Sequence, residues 1–336
     1  MTVLCLVELD GTGAADASLR ALTFARSVAG PGGGLAAVVF GEPGALTSGA
    51  QPGEATAGET LAAYGVTDVY VVEPGQLAGY APQAWSRVLA GLIGPTGADA
   101  VLAAGTDRGR EVMAHLGALT GLPMAANCVS AAPSGAATWQ IVRQRWAGLL
   151  LEDAVLEASP ALATVATDTV APTPAAAPAA LAVHAHQPAL ADGDLAVRAT
   201  ESAAQSGGVS LANARVVVGG GRGVGGPDGF APLEELAGLL GGVVGVSRVV
   251  TSEGWRPHKQ QVGQTGTKIT PELYLACGIS GAIQHIAGCA SAKHIVAVNS
   301  DAGAPILSHA EYAVIGDLHE VIPALVAAIR ARSGPA

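Results

Sequence analysis

The sequence predicts two α/β domains, each built around a parallel β-sheet that is covered by helices. Three observations lead to this prediction. The chain has 336 residues, a length that suits two domains of ordinary size. Short apolar runs alternate with segments of helical spacing. Half of the residues are apolar although only 4% are aromatic, which indicates a core of small aliphatic side chains, as in helix-covered parallel sheets.

The N-terminal half begins with a regular alternation of strand and helix patterns. We predict strands at 3–7, 35–40, 68–72 and 98–104, and helices at 17–29, 60–64, 82–92 and 111–120. This rhythm favours a parallel sheet with helices on both faces. Shorter strands separated by turns are predicted at 125–129, 138–145, 149–151 and 161–167. Trp139 and Trp146, in this later part, are interpreted as core or interface residues, with the core favoured.

A polar cluster follows the predicted strand at 98–104. Thr106, Asp107 and Arg108 occupy a position at which open α/β sheets bind ligands. Thr or Asp at the start of a helix also serves as an N-cap, and we favour that interpretation here. No pairing of a nucleophile with a base is found in this half of the chain.

An Ala/Pro-rich stretch separates the two halves. Residues 171–206 contain repeated Ala and Pro and then become polar, and the flexible pattern Ala-Ala-Gln-Ser-Gly-Gly lies at 203–208. We interpret 171–206 as a linker region that belongs to an N-terminal domain of residues 1–206. A C-terminal domain then covers residues 207–336.

The C-terminal half repeats the strand and helix alternation. Predicted strands are 214–218, 243–246, 273–277, 295–298 and 312–315, and predicted helices are 230–240, 280–287 and 318–332. Polar residues follow several of these strands, and the carboxyl ends of parallel strands meet at one edge of a sheet, where ligands bind. The sequence therefore predicts a ligand site at this edge.

The first strand of this half runs into a glycine-rich turn at 219–226. The pattern Gly221-x-Gly223-x-x-Gly226 matches a dinucleotide fingerprint, which by itself is a weak signal. Two features depart from it. Arg222 lies inside the turn, and the second strand ends in Ser247 and Arg248 rather than in the acidic residue expected to bind an NAD ribose. A cation and a hydroxyl suit an electron-rich ring or a phosphate better.

Three further strand ends and one turn add to the predicted site. The turn at 261–266 offers the amide of Gln264 and the hydroxyl of Thr265, or is only a polar turn. Ser280 suits the start of a helix whose free N–H groups would bind an anion, with Gln284 and His285 in its first turns. The last two strands end in Asn-Ser-Asp at 299–301 and Gly-Asp-Leu at 316–318.

Composition and charge narrow the classes of function. The formal net charge of −10 disfavours a nucleic-acid partner. Mean hydropathy is +0.41, yet no run of about 18 residues is free of charges and helix breakers. The N-terminus resembles a first strand rather than a signal peptide, so we expect a soluble cytoplasmic protein. Cys5, Cys128, Cys277 and Cys289 form no metal-binding pattern and are expected to be buried and reduced, and no metal site is predicted.

Four motifs of the C-terminal half resemble one known family. They are Val-Val-Val-Gly-Gly-Gly-Arg-Gly at 216–223, Val-Gly-Gln-Thr-Gly at 262–266, Pro-Glu-Leu-Tyr-Leu-Ala at 271–276 and Gly-Ile-Ser-Gly-Ala-Ile-Gln-His at 278–285. Their order and spacing resemble the FAD domain of the electron transfer flavoprotein α subunit, the large-subunit, FixB-like family. The resemblance covers 207–332 well and the first half less specifically. It implies a Rossmann-like N-terminal α/β domain and a doubly wound, flavodoxin-like C-terminal domain that holds FAD.

The resemblance also implies which residues hold the flavin. Arg248 and His285 would form a cationic site that stabilises the reduced ring, and Thr265, with Gln264, would hydrogen-bond the ring or the ribityl chain. Ser280 and the adjacent helix N-terminus would hold the pyrophosphate, and Asn299 and Asp317 would meet the adenosine half. The full implied set is Arg222, Ser247, Arg248, Val262, Gly263, Gln264, Thr265, Gly266, Ser280, Gly281, Ala282, Ile283, Gln284, His285, Asn299, Asp317 and Leu318. These are binding and tuning roles, and no catalytic residue is predicted.

The family further implies a function and a set of partners. The chain would pair with a β subunit that carries AMP, accept electrons from flavin dehydrogenases such as the acyl-CoA dehydrogenases of fatty acid β-oxidation, and deliver them to a membrane quinone oxidoreductase. One alternative is an electron-bifurcating member of the family with a second FAD in the β subunit. Another is a nucleotide-binding module without a redox role, and a third is a stand-alone flavoenzyme, for which no acid or base beside the flavin is found.

Overall fold

Two sheets organise the chain, and each lies in its own unit. The computed structural model describes residues 1–10, 13–41, 43–47, 55–73, 77, 79–199, 210–212 and 214–333. Contacts divide the chain into compact units at Met1–Ala204 and Gln205–Ala336. The boundary predicted at 206/207 and the flexible pattern at 203–208 lie outside the described residues.

The N-terminal unit contains a nine-stranded sheet and a small two-stranded one. Its strands are β1 Thr2–Val7, β2 Leu9–Asp10, β3 Gly13–Ala14, β4 Gly34–Phe40, β5 Asp68–Val72, β6 Ala100–Ala104, β7 Met124–Pro133, β8 Thr138–Arg145, β9 Leu150–Glu157, β10 Ala161–Val165 and β11 Ala182–His186. Its helices are α1 Asp16–Ala29, α2 Ala57–Ala63, α3 Pro82–Thr96 and α4 Asp107–Thr120.

The large sheet is parallel except at one end. Its order is β11-β5-β4-β1-β6-β10-β7-β8-β9, and β7, β8 and β9 pair antiparallel while the other neighbours are parallel. The order reverses between β1 and β6, because the chain builds outward from β1 in one direction and then in the other. Residues 3–7 of β1 are all buried, as a central parallel strand requires. The predicted α/β fold is confirmed.

Three sequence interpretations in this unit can be compared with its structure. Thr106 accepts a hydrogen bond from the Gly109 N–H at 2.9 Å and caps α4, so the N-cap interpretation is confirmed. Trp139 is buried, but Trp146 is 78% exposed, so the core prediction is wrong for Trp146. The four cysteines are buried and free, and burial raises the thiol pKa to about 11 for Cys128 and to about 12 for the other three.

Part of the segment predicted as linker is structured. Strand β11 pairs with β5 at the edge of the sheet, and the Ala175 N–H donates to the Ala63 carbonyl at 2.8 Å. The Arg26 guanidinium also donates to the Thr173 carbonyl at 2.7 Å. None of the β11 residues is buried, so this edge strand has no apolar signature, and the Ala/Pro composition suggested a linker instead. Residues 200–206 of the predicted linker lie outside the described part of the chain.

The C-terminal unit is a five-stranded, fully parallel sheet with the order β13-β12-β14-β15-β16. Its strands are β12 Val216–Gly220, β13 Val243–Val246, β14 Leu273–Cys277, β15 His294–Asn299 and β16 Tyr312–Ile315, and its helices are α5 Ala231–Leu239, α6 Arg248–Ser252, α7 Ile283–Cys289 and α8 Leu318–Ser333. One apolar cluster joins α5 and α8 to one face of the sheet, and a second joins α7 to the other. This doubly wound arrangement reverses its order between β12 and β14.

The helices of both units are of ordinary globular length. Within the described ranges, none of them combines the length and apolar character needed to cross a membrane.

Candidate functional site

A cavity of about 790 Å³ lies at the carboxyl ends of the strands in the C-terminal unit. It opens where the strand order reverses between β12 and β14, the position at which doubly wound sheets bind ligands. Most of the predicted site residues line it: Arg222, Ser247, Arg248, Val262, Gly263, Gln264, Thr265, Ser280, Ala282, Gln284, His285, Asn299, Asp317 and Leu318. Their roles as ligands of a cofactor stay predictions.

The glycine-rich turn after β12 packs against the turn after β14. The Gly221 N–H donates to the Cys277 carbonyl at 2.9 Å, and the Gly223 N–H donates to the Gly278 carbonyl at 3.0 Å. A Cβ atom on Gly221 would lie 2.2 Å from the Gly278 carbonyl oxygen. These glycines therefore allow two turns to touch, and Arg222 between them has an exposed side chain that lines the cavity.

A buried hydroxyl and an exposed cation follow directly after strand β13. Ser247 is 8% exposed, and its Oγ is buried with no hydrogen-bond partner among the described residues. Arg248 begins the short helix α6, and its side chain is exposed. Neither Arg248 nor Arg222 has an ion-pair partner in the described part of the chain. Both guanidinium groups are therefore free to bind an anionic or electron-rich ligand.

The loop at 261–267 is held by backbone hydrogen bonds on both sides. The Val262 N–H donates to the Val246 carbonyl at 2.8 Å, and the Gln264 N–H donates to the Gln284 carbonyl at 2.7 Å. The loop is thereby tied to β13 and to α7, which fixes where its polar side chains lie at the cavity.

Gln261 organises this loop from inside. Its side chain is 2% exposed. Its Nε2 donates to the Thr265 hydroxyl oxygen at 3.0 Å, and its Oε1 accepts from the Thr251 hydroxyl at 2.7 Å. The Thr265 oxygen thus accepts from within the protein, and its own O–H remains available as a donor to a ligand.

The helix after β14 starts later than predicted. Helix α7 begins at Ile283 with Ala282 at its N-cap, so the prediction that Ser280 starts the helix is wrong. Gly281 has φ +82°, a left-handed conformation that keeps the chain out of the helix, and the Ser280 carbonyl accepts from the Ile306 N–H at 3.1 Å. Ser280 still lines the cavity, but it does so from a turn and not from a helix N-terminus.

His285 is the most enclosed polar residue on α7. It is 7% exposed, and its Nε2 lies 2.7 Å from the Tyr274 hydroxyl oxygen. Burial lowers the pKa of His285 to about 4, and the nearby Val262 backbone offsets only part of this effect. Burial thus favours the neutral imidazole in the chain without a ligand, and a positive charge on His285 beside a bound flavin stays a prediction. Its Nδ1 is buried without a hydrogen-bond partner among the described residues.

The polar side chains that end β15 and follow β16 form hydrogen bonds with nearby backbone groups. Asn299 donates through Nδ2 to the Ile279 carbonyl at 2.8 Å and accepts through Oδ1 from the Asp301 N–H at 3.0 Å. Asp317 accepts from the His319 N–H at 2.9 Å at the start of α8. Asn299 therefore shapes its turn, whereas one carboxylate oxygen of Asp317 is not used in that bond.

Some predictions fall outside the cavity lining, and some lining residues were not predicted. Gly266, Gly281 and Ile283 do not line it, and the Ile283 side chain is 59% exposed. The lining residues absent from the predicted set are Gly223, Val249, Ser252, Gln261, Gly278, Ile279, Ser300, Asp301 and Ala304. Asp301 could have been predicted, since it follows a predicted strand. Gln261 could not, because a single sequence does not show that its buried side chain supports the loop.

The described residues contain no candidate metal site. Across the residues that the structure describes, no group of three or more His, Cys, Asp or Glu side chains is arranged to hold a metal ion. The polar groups that line the cavity are two arginines, two aspartates, several hydroxyls and amides, and one imidazole.

Two family models match most of the chain. A model described as the electron transfer flavoprotein domain matches residues 3–191, and a model described as the electron transfer flavoprotein FAD-binding domain matches residues 210–290. The second match includes the turns that build most of the cavity.

Curated relatives agree with these matches. The electron transfer flavoprotein subunit alpha of Mycobacterium tuberculosis is 37% identical over 332 residues, 99% of each chain. The protein of the same name from Syntrophomonas wolfei is 36% identical over 296 residues, 88% of this chain and 90% of that one. Protein FixB of Clostridium saccharobutylicum is 48% identical over 119 residues, 35% of this chain and 36% of its own length.

Proposed function

Because this chain belongs to the electron transfer flavoprotein α-subunit family, we propose that it binds one FAD in the cavity of its C-terminal unit and carries electrons without a substrate of its own. The observation that carries the proposal is the set of unused polar groups around this cavity. Two arginines without ion-pair partners and two buried polar atoms without hydrogen bonds face one ligand-sized space.

The cavity fits a dinucleotide in size and in chemistry. Its volume of about 790 Å³ lies within the usual range for small-molecule sites, which is about 300–1,000 Å³. Buried polar atoms without partners are rare in folded proteins. Ser247 Oγ and His285 Nδ1 are two such atoms, and a ligand with hydrogen-bonding edges would satisfy both.

Arginine supplies the permanent positive charge at the cavity. A bound flavin supplies one-electron redox chemistry and becomes more negative as it is reduced. Arg248 carries a permanent charge at the cavity, where it would stabilise a reduced flavin and raise the reduction potential of the flavin. Arg222 lines the same cavity and supplies a second cation for ring or phosphate.

The remaining polar residues bind FAD and orient it in the cavity. The Thr265 hydroxyl donates to the ring or ribityl chain, and Gln264 assists it. Burial lowers the pKa of His285 to about 4, so its imidazole would enter the site neutral and hydrogen-bond the ring. Ser280 contacts the pyrophosphate from its turn, and Asp317 meets the adenosine half through the carboxylate that caps α8. None of these groups has to move a proton for electrons to pass.

The partners follow from the family. We infer pairing with a β subunit that binds AMP, docking of flavin dehydrogenases such as acyl-CoA dehydrogenases, and delivery of electrons to a membrane quinone oxidoreductase, with the protein in the cytoplasm. An arginine without an ion-pair partner at the cavity supports the role of an electron carrier, because its charge would favour the reduced state of a bound flavin.

The test is a visible spectrum of this chain co-expressed with its β subunit, followed by stepwise reduction and a count of nucleotides. We expect a flavin spectrum, a red anionic one-electron form midway, and one FAD with one AMP. Two FAD would favour the bifurcating alternative. A colourless pair that takes up no added FAD would overturn the proposal and favour a module without a redox role.

A pair of charge-removing variants makes the test residue-specific. Arg248→Ala should weaken FAD binding and lower the potential of the first electron. Arg332→Ala, an exposed arginine near the end of α8, removes the same charge away from the cavity and should leave both quantities unchanged. Equal potentials for the Arg248→Ala variant and the wild type would contradict the role of Arg248.

A further inference from the structure

Tyr274 places a hydroxyl deep in the C-terminal core, directly behind His285. Its side chain is 0% exposed and packs with the apolar cluster that includes Val217, Ile279 and Ile286. A buried hydroxyl without a hydrogen bond costs about 1–3 kcal/mol. Nε2 of His285, at 2.7 Å, is the one partner that this hydroxyl has among the described residues.

A glycine in the neighbouring strand makes room for the Tyr274 side chain. Gly219 lies on β12 next to β14, and a Cβ atom there would lie 2.3 Å from the Tyr274 hydroxyl oxygen and 2.7 Å from two ring carbons. Any larger residue at 219 would push the hydroxyl away from His285. The last glycines of β12 therefore make room for core side chains, and this one serves the hydrogen bond.

The direction of this hydrogen bond follows from which atoms of Tyr274 and His285 carry a proton. A neutral imidazole has one nitrogen that donates and one that accepts. If Nε2 carried the proton, the Tyr274 O–H would have no acceptor in its apolar surroundings. If Tyr274 donates to Nε2, the phenol is satisfied and the ring proton lies on Nδ1. Burial raises the pKa of Tyr274 well above its usual value, so the phenol keeps its proton at neutral pH.

We propose that Tyr274 is a positioning residue that fixes the tautomer of His285, so that the ring presents Nδ1–H as its unspent donor. The consequence for FAD rests on the proposed function: the donor that His285 offers to a flavin carbonyl is Nδ1–H, and Tyr274 keeps it there.

The first test does not need FAD, and a variant serves only to assign the signal. Nitrogen NMR of the imidazoles in the full-length chain at pH 7, with His285→Gln to assign the signal, distinguishes protonated from unprotonated ring nitrogens. We expect Nδ1 of His285 to be protonated and Nε2 to be an acceptor. A protonated Nε2 would overturn the proposal, whether or not the chain binds a flavin.

The second test removes only the hydroxyl. Tyr274→Phe should shift His285 toward the other tautomer and should weaken FAD binding by the heterodimer about threefold to tenfold, the net effect of one hydrogen bond. Tyr312→Phe makes the same change on a 65% exposed tyrosine of β16 and should alter neither quantity.

The two tests separate this proposal from the proposed function. A heterodimer that binds no FAD while His285 holds its proton on Nδ1 would remove the function and leave the tautomer assignment standing. A Tyr274→Phe variant in which the His285 nitrogen signals keep their wild-type pattern would overturn the positioning role, even if FAD binds normally.

Discussion

Burial decides which residues of the cavity carry charge. Arg248 and Arg222 have exposed side chains and keep their charge, whereas His285 is 7% exposed and is held neutral. The cavity therefore combines two cations with an uncharged donor. A flavin in such a site is stabilised by permanent charge from arginine and by directional hydrogen bonding from histidine, so the two contributions respond differently to pH.

His285 should make the chain less stable in mild acid, even without FAD. Its pKa is about 4 in the folded chain and 6.5 in the unfolded reference, so the unfolded state takes up the proton first as the pH falls. Stability is therefore lost between about pH 6.5 and pH 4, by up to about 3 kcal/mol. Chemical denaturation of the wild type and of His285→Gln across this range should show their stability difference changing with pH.

A second variant separates this effect from simple loss of packing. Ile286→Val removes one methylene from the neighbouring buried residue, so it should lower stability by about 1 kcal/mol at every pH. A wild-type and His285→Gln difference that stays flat from pH 7 to pH 4.5 would show that the histidine is not held neutral by the fold.

Some residues of the cavity could be predicted from the sequence, and others could not. Arg222, Ser247 and Thr265 follow strands or lie in polar turns, and the parallel-sheet rule brings them to one edge. The lowered pKa of His285 could not be predicted, because it comes from burial, which one sequence does not report. Gln261 was missed for a related reason: its importance lies in two side-chain hydrogen bonds, not in its position after a strand.

Strands and helices were predictable where the sequence carries an apolar run, whether that run is buried, as in β14, or exposed, as in β16. The runs at 68–72, 243–246, 273–277 and 312–315 coincide with β5, β13, β14 and β16. Where an element lacks that pattern, prediction fails. Strand β11 has the sequence Ala-Val-His-Ala-His, which contains no apolar run, and α7 starts later than predicted because Gly281 holds a turn that resembles a helix start in sequence.

The contact between α7 and the loop at 261–267 gives a prediction about an element. A Cβ atom at Gly288 on α7 would lie 2.3 Å from the Gly263 nitrogen and 2.4 Å from its Cα. Gly288→Ala must therefore push helix and loop apart. We expect a loss of about 1–3 kcal/mol in stability and FAD binding at least about tenfold weaker, measured by denaturation and flavin titration.

Gly238→Ala is the matched control for that experiment. Gly238 is exposed on α5, and a Cβ atom there would have nothing within 4 Å. Alanine should stabilise this helix by up to about 1 kcal/mol and leave FAD binding unchanged. A Gly288→Ala heterodimer that binds FAD like the wild type would mean that the loop position does not determine the site.

The chain forms two units with separate cores. All residues that line the cavity belong to the C-terminal unit, which is a complete five-stranded sheet with helices on both faces. The N-terminal unit has its own larger sheet, and its strand-end residue Thr106 is engaged in capping α4. This division is what the repeated strand and helix alternation in the sequence predicted.

If FAD binds only to the C-terminal unit, its stabilising effect should be confined to that unit. Ligand at 100 times its Kd stabilises the state that binds it by about 2.7 kcal/mol, which slows exchange through unfolding of that unit about a hundredfold. Hydrogen exchange of the heterodimer, with FAD bound and after its removal, should therefore show protection in β12, β14 and α7 and no comparable change in β1 or β4. Because each unit has its own core, protection centred on β1 and β4 would require a flavin site in the N-terminal unit and would contradict the assignment made from the cavity.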